Sequence, residues 1–456
     1  MPKTAPLVSA LQEIVGEANI IKDPDKLKAY TLDGKAPKIV VSPGTIEEVS
    51  KVVAYANQHR LGVIPRGNGT KIETGGIAKK TDIVLLTGRL NRITDKDCDN
   101  LTLSVESGIT LSEIQKSLAE EGKGYFLPLD PPFSEKATLG GIVATNSSGP
   151  KRLLYGTARD LIIGIKAVYP NGDTVVSGGK TVKNVSGYDM CKLVIGSFGT
   201  LAIICEITFK LLPLPEKEAT LLISFTSLDS AHAFTREIRH SQLLPASVGI
   251  LNSVAMAKMK DLLPVPGGGN YLVAIGLEGV TESIERQIFE MGAMGKKQGA
   301  LAAVTLDSER GHPFWIAIRD FSARLSEDYT NLISLKSNFS ISRCGEMLGS
   351  YEKTARESGF DSAFICHSGN GILNSYVMVG KNIRSKTESL VKLIGMLTDE
   401  AVKNEGNLVV ESSPLAIKKE VDVWGGARAD RAVMKRLKEE IDPAGILNPG
   451  RFVGGI

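Results

Sequence analysis

Cysteine is scarce and scattered: the five residues Cys98, Cys191, Cys205, Cys344 and Cys366 form no C-x-x-C pair and none of the tight spacings that hold zinc or an iron–sulfur cluster. A resident cluster is thereby excluded, and a reduced, intracellular chain is expected. An excess of one charge is also missing, since 54 Lys and Arg face 51 Asp and Glu for a formal +3. A balance that even gives no field suited to nucleic acid, which leaves small-molecule chemistry as the better expectation. The opening Met1-Pro-Lys-Thr-Ala-Pro6 lacks the charged region and apolar run of a secretory signal, and no stretch nears the roughly 18 uninterrupted apolar residues of a membrane span. The expected location is cytoplasmic, with any contact to the inner membrane made through partners. No internal repeat or low-complexity tract stands out.

What is abundant is glycine, 47 of 456 residues or roughly one in ten against about 7% in average proteins, with most of the excess between Gly62 and Gly199. Glycine serves where backbone approaches something closely or takes a positive φ. A chain of this length, 42% apolar and 23% charged, can bury more than one core, so two or three domains are expected. Thr45 and Glu48 read as a capping box opening a helix to Asn57, with Val49, Val52, Val53 and Ala56 on one face. Leu61–Ile64 and Asp82–Leu86 read as strands, Leu101–Val105 alternates, and Thr110-x-x-Glu113 caps a helix carrying Leu111, Ile114 and Leu118. Strand and helix alternate, which predicts an α/β domain. Two strands flank the turn Pro170-Asn-Gly-Asp173, another runs from Thr200 to Leu212, and Pro213 and Pro215 mark a boundary. A second α/β domain follows, with a helix over Val280–Met294 and a loop at Pro264–Asn270, and a polar helix over Arg428–Ile441 precedes a Pro- and Gly-dense turn to Arg451.

Three glycine clusters carry the chemistry. Pro65-Arg-Gly-Asn-Gly-Thr-Lys71 directly follows a strand, and its glycines let successive N–H groups point at a phosphate, although a plain glycine turn reads as well from this heptapeptide alone. A dinucleotide fingerprint would need a third glycine where Ile72 stands, and the Gly-Lys-Ser/Thr of a P-loop is absent. The second cluster is Ala137-Thr-Leu-Gly-Gly-Ile-Val-Ala-Thr-Asn-Ser-Ser-Gly149 with Gly156-Thr-Ala-Arg-Asp160; the third is Lys183-Asn-Val-Ser-Gly-Tyr-Asp189 with Gly196-Ser-Phe-Gly-Thr-Leu201. Small and hydroxyl residues packed so densely suit a long ligand threaded against backbone.

Together these strings resemble the FAD-linked oxidase family, the superfamily of vanillyl-alcohol oxidase and p-cresol methylhydroxylase (PCMH). Asp130-Pro-Pro-Phe133, Ser148-Gly-Pro-Lys-Arg152, Val421-Asp-Val-Trp-Gly425 and the ending from Met434 to Gly455 are similar to the smaller FAD-binding subunits of bacterial three-part glycolate oxidases. The resemblance implies an α+β or α/β fold: a PCMH-type FAD-binding domain of two α/β subdomains over 1–215, an α/β cap over 216–405, and a segment 406–456 returning to the FAD domain. It implies that Arg66, Gly67, Asn68, Gly69 and Thr70 wrap the pyrophosphate of FAD, and that Thr138, Gly140, Gly141, Thr145 and Asn146 complete the groove. Gly149 and Gly156, Thr157 and Asp160 would lie along the ribityl chain and flavin edge, Gly199, Thr200 and Ile203 at the adenosine half, and Asn448 near the flavin ring. Some relatives bond FAD through a histidine of the first loop; here no His or Cys is available there, so non-covalent FAD is implied.

Catalytic relatives hold a divalent metal with the two histidines of His-x-Gly-Asp-Gly-Asn-x-His, where this chain reads His367-Ser-Gly-Asn-Gly-Ile-Leu-Asn374. An amide is a weak ligand in place of the second imidazole, so a metal site here would be incomplete and none is expected; a locally hydrogen-bonded His367 is the simpler reading. The relatives' Gly-Glu-His-Gly base motif is replaced by Val409-Val-Glu-Ser-Ser-Pro414. Oxidising a 2-hydroxy acid requires a proton to leave the hydroxyl, and the residues that lower that barrier are missing. Trp315 and Arg319 could hold a carboxylate, or simply pair along a helix at a spacing of four. Lys183 could offset flavin or phosphate charge, while Tyr188 and Asp189 read as structural. Three readings remain: an FAD-binding subunit of a 2-hydroxy-acid (glycolate or lactate type) dehydrogenase complex beside a larger catalytic FAD subunit and an iron–sulfur subunit; a self-sufficient FAD-dependent 2-hydroxy-acid dehydrogenase; and an assembly subunit with structural FAD.

Overall fold

A computed structural model describes residues 5–179, 188–262, 268–426 and 429–456. The chain groups into two compact units, the first of Met1–Ser148, Thr157–Leu214 and Ala427–Ile456, the second of Gly149–Gly156 and Pro215–Gly426. Lys183 lies outside the described residues, as do 264–267 of the expected loop and Arg428.

The first unit holds two sheets. In one, β2 (Ile39–Val41) and β3 (Val63–Arg66) run parallel to β4 (Ile83–Leu86), and β1 (Ile20–Ile21) adds antiparallel on β2. The helix Ile46–Gln58 buries Val49, Val52, Val53 and Ala56 against Ile39, Val41, Val63 and Leu85 of this sheet. Its expected capping box is half formed: Thr45 Oγ1 accepts from the Glu48 N–H at 3.1 Å, but the Glu48 carboxylate accepts from the Gly44 N–H at 2.7 Å. The other sheet is antiparallel, formed by β5 (Ile93–Asp97), β6 (Thr102–Glu106), β8 (Ile162–Val168), β9 (Thr174–Gly178) and β10 (Ile203–Lys210) in the order β5-β6-β10-β8-β9; β7 (Tyr125–Phe126) and β11 (Leu212–Pro213) pair beside it. Here the box at Thr110 and Glu113 is complete, and the helix Leu111–Glu120 buries Leu111, Ile114 and Leu118. β6 is buried at every position, so the alternation of its sequence does not mark a solvent face.

The C-terminal segment returns to this unit. The helix Arg431–Ile441 leads to a short parallel bridge at the end of β3, where the Val63 N–H donates to Ile446 O and the Asn448 N–H to Val63 O, both at 2.8 Å.

The second unit is one eight-stranded antiparallel sheet built twice from the same plan. Its first half runs β12 (Lys217–Phe225), helix Leu228–Arg239, β13 (Ser247–Asn252), β14 (Tyr271–Gly279), helix Thr281–Lys297 and β15 (Ala302–Leu306). Its second half runs β16 (Asn331–Asn338), helix Cys344–Glu357, β17 (Ser362–His367), β18 (Ile372–Val379), helix Thr387–Lys403 and β19 (Asn407–Ser412). Each half is a β-α-β-β-α-β motif, and the two join where β13 pairs antiparallel with β17, giving the order β15-β12-β14-β13-β17-β18-β16-β19. Sequence inspection missed this duplication because it survives as topology and not as residues. On one face Leu222, Ala274, Ile365 and Tyr376 pack with Phe314, Ile318 and Phe321 of the helices Ser308–Arg319 and Phe321–Asp328. On the other, Phe225 meets Phe234 at 5.5 Å between ring centroids. Because Asn407–Ser412 pairs with β16, residues 406–426 pack with this unit, and the segment expected to leave at 406 joins the first unit only after Gly426.

The mixed α/β architecture matches the expected class. Among the described residues no helix is long and apolar enough to cross a membrane.

Candidate functional site

The first unit opens into a cleft that, with the open solvent at its mouth included, spans about 900 Å³. Four backbone segments wall it. The end of β3 and the loop after it contribute Arg66, Gly67, Asn68, Gly69 and Thr70; Thr138, Gly140, Gly141 and Thr145 come from the helix Leu139–Thr145 and its cap; Gly199 and Ile203, and Asn448 of the C-terminal segment, complete the lining. The glycines are required by contact. A Cβ on Gly67 would collide with Thr138 Oγ1, and one on Gly140 would sit 2.7 Å from Ser107 Cβ and 2.9 Å from Ser107 O. Gly69 has φ +74°, a conformation glycine adopts without strain. The absence of side chains thus lets the 66–70 loop and the 138–141 helix start approach each other; at that helix start the N–H groups of Leu139, Gly140 and Gly141 donate to Ile109 O, Ser107 O and Thr138 Oγ1.

Its electrostatics favour an anion. Arg66, Lys71 and Arg451 line the cleft, and among the described residues no Asp or Glu does. The Arg66 guanidinium lies 5.1 Å over the Tyr30 ring, which orients it. Arg451 is buried and fixed by Asp33 at 3.2 Å, by Gly76 O at 3.1 Å, by Thr74 O at 2.6 Å and by Ile72 O. Buried polar atoms without a protein partner also border the cleft, namely Ser107 Oγ and Asn448 Oδ1; such atoms are costly to strand and are normally satisfied by a ligand or water. The cations suit the phosphates, and the orphaned Ser107 Oγ and Asn448 Oδ1 suit the hydroxyl and N–H groups, of a long diphosphate-containing cofactor such as FAD. Among the described residues no His, Cys or Tyr lines the cleft.

The other expected contacts are not among the residues that line this cleft. Asn146 is the left-handed cap of the helix Leu139–Thr145, with φ +45°. Thr200 donates from Oγ1 to Ser197 O at 2.6 Å. Thr157 and Asp160 form a capping box on the short helix Ala158–Leu161, with the Thr157 N–H 2.8 Å from Asp160 Oδ2. Gly149 and Gly156 belong to the second unit. Conversely, Thr87, Ser107, Phe198 and Arg451 line the cleft although motif reading gave them no contact with the cofactor. Thr87-Gly88 and Ser107-Gly108 are small-residue pairs at strand ends, a signal too short to recognise alone.

In the second unit, the β17–β18 hairpin brings His367 and Asn374 together, with Asn374 Nδ2 3.2 Å from His367 Nε2. Lys336 on β16 stands directly opposite Asn374. Leu153 covers the turn, close enough that Gly369 has no room for a Cβ. His367 is buried, and burial, aided by the cations Lys336 and Arg152, pushes its imidazole down to about 4. At neutral pH it is therefore uncharged. Among the described residues no three His, Cys, Asp or Glu side chains converge as a metal set, and two nearby cations would oppose a divalent ion. His367 and Asn374 thus set one imidazole and one amide side by side in the hairpin. Ser412, at the expected base position, lies on β19 opposite Ser334. Arg319 forks onto Asp320, at 3.3 and 3.0 Å, and Trp315 Nε1 donates to Thr220 Oγ1 at 2.9 Å. The helix spacing places these two along one helix, each with its own local partner.

Comparison with known proteins assigns the family. The profile described as "FAD binding domain" matches residues 37–178, and that described as "FAD linked oxidases, C-terminal domain" matches residues 214–452. The glycolate oxidase subunit GlcD of Bacillus subtilis is 29% identical over 420 residues, 91% of this chain and 89% of that protein. A D-lactate dehydrogenase of Archaeoglobus fulgidus is 27% identical, covering 91% of each chain. The structure of p-cresol methylhydroxylase with substrate bound superposes with a TM-score of 0.78 at 18% identity, covering 99% of this chain and 97% of that one, and alkyldihydroxyacetonephosphate synthase with 0.74 at 22%, covering 98% and 86%; these two speak for the fold. With more than half its length matched by one family profile, the chain belongs to the FAD-linked oxidases and is an FAD-dependent oxidoreductase.

Proposed function

We propose that this chain is an FAD-binding subunit of a 2-hydroxy-acid dehydrogenase complex of the glycolate or lactate type, and that it passes electrons between its flavin and partner subunits. The observation that carries the reading is the His367–Asn374 pair, an uncharged buried imidazole bonded to an amide where catalytic relatives place two metal-binding histidines. When bound, FAD supplies the capacity to accept a hydride. This chain's residues would hold it: Arg66, Gly67, Gly69 and Thr138 around the diphosphate, with Gly199, Ile203 and Asn448 also lining the cleft. They bind without a covalent link. His367 contributes no charge at neutral pH and, bonded to Asn374, is poorly placed to take a substrate proton.

The glycolate oxidase relative is named as a subunit, which supports a partnered role, with a larger catalytic FAD subunit and an iron–sulfur subunit as the partners expected from the family resemblance. The five cysteines are all unpaired and buried, so an electron leaving the flavin would have to go to another chain or a soluble acceptor. The test is native isolation under gentle conditions: co-purification with a second flavoprotein and an iron–sulfur protein supports the reading, and a solitary chain opposes it. A second reading, a self-sufficient 2-hydroxy-acid dehydrogenase, is favoured by one observation, that relatives named D-lactate dehydrogenase align over 91% of this chain.

A further inference from the structure

The helix Arg431–Ile441 buries the wrong residue for an ordinary surface helix. Val433 and Leu437 are exposed, while Lys438 is the residue it buries. The Lys438 ammonium donates to Thr200 O at 2.7 Å, to Leu447 O at 2.9 Å and to Asp442 Oδ2 at 2.6 Å, which uses all three of its protons. Asp442, fully buried, accepts in addition from the Ile446 N–H at 3.1 Å and the Leu447 N–H at 2.8 Å. The pair therefore pins two turns, 442–447 and 197–200, to each other.

Both turns lead into the walls of the cofactor cleft. Phe198 and Gly199 line it from one and Asn448 from the other, and Asn448 Nδ2 bonds Phe198 O at 2.5 Å while its Oδ1 stays buried without a partner. The bridge from Ile446 and Asn448 to Val63 ties the same segment to β3, three residues before Arg66. Burying an ammonium is expensive, and an apolar side chain of similar volume would usually stabilise at least as well. What the ammonium adds is fixed geometry at three acceptors at once.

We infer that Lys438 is a positioning residue for the cofactor: its buried ammonium locks the 442–447 turn onto the 197–200 turn, so that Asn448 and Gly199 stand at the cleft wall. The inference rests on reading this cleft as the FAD site. The test is titration of the full-length apoprotein with FAD, followed by flavin fluorescence, alongside the melting temperature of each apoprotein. Lys438→Met should weaken FAD binding by about tenfold or more. Because Lys438 works through the turn that carries Asn448, the double variant Lys438→Met/Asn448→Ala should lose clearly less than the product of the two single losses. Should Lys438→Met fail to fold, Asp442→Asn, which keeps shape but removes the charge, should weaken FAD binding in the same direction. FAD affinity within twofold of wild type in the folded variant, whatever its melting temperature, overturns the inference, and so do fully multiplicative losses with Asn448→Ala. Gly69→Leu separates the two ideas: if it leaves FAD binding intact, the cleft reading fails; if it abolishes binding while Lys438→Met does not weaken it, only the role of Lys438 falls.

Discussion

For Gly140→Ala, helix propensity and packing point in opposite directions. Gly140 lies inside the helix Leu139–Thr145, where alanine in place of glycine ordinarily gains up to about 1 kcal/mol. Its Cβ, however, would stand 2.7 Å from Ser107 Cβ and 2.9 Å from Ser107 O, atoms of a chain that cannot rotate away. Restoring ordinary contact needs a displacement of roughly 0.7 Å, which also strains the 2.7 Å bond from the Gly140 N–H to Ser107 O. Overpacking of this kind costs about 1–3 kcal/mol and a weakened buried hydrogen bond about 1 kcal/mol more, so a net loss of about 2 kcal/mol is expected. For a unit of this size that lowers the apoprotein melting temperature by about 4–8 °C. Gly141→Ala is the internal comparison: its Cβ would meet only Thr138 Oγ1, at 3.2 Å, and the apoprotein should melt at or above the wild-type temperature. Thermal melts of the two apoproteins decide the matter. Equal stability of the Gly140 and Gly141 variants would refute the close-approach argument for the cleft.

Two further outcomes follow from the sites. His367 has its pKa depressed to about 4 in the folded chain against about 6.5 when unfolded. Below pH 6.5 the unfolded state binds the proton first, so stability falls as pH drops from about 6.5 to 4, by up to about 3 kcal/mol; His367→Gln should flatten that part of the profile in denaturant melts, and an unchanged profile would show that the imidazole is not held neutral. Since among the described residues no His, Cys or Tyr lines the cleft, acid precipitation should leave the yellow flavin in the supernatant at about one FAD per chain, and flavin retained in the pellet would contradict non-covalent binding.

The legible parts of the sequence were those where one residue type answers one physical demand. Glycines at 67, 69, 140 and 199 announced close approach because only glycine tolerates it, and the cleft gathers all four. Thr110 and Glu113 announced a helix start and formed both halves of the box. Contacts set by tertiary packing were not legible. Arg451 reaches the cleft because its guanidinium is held by Asp33 and three carbonyls, partners some 375 or more positions away. Thr157 and Asp160 satisfy each other locally, a use that their place in a cofactor-binding string did not reveal. The duplicated β-α-β-β-α-β plan left no trace in residues because each half needs only an apolar pattern, which many sequences meet.

Under the function proposed above, substrate oxidation by this flavoprotein depends on partners. The direct measurement is steady-state oxidation of glycolate and D-lactate by the isolated, FAD-loaded chain with an artificial electron acceptor, with and without added Zn²⁺ or Mn²⁺ and after chelation. Absence of a positioned base alone costs on the order of 10² to 10⁴ in rate, so turnover close to the protein-free background is predicted under every condition, for the wild type and for Asn374→His alike. Sustained turnover by the wild-type chain that chelation abolishes and metal restores would contradict the claim and make His367 a ligand.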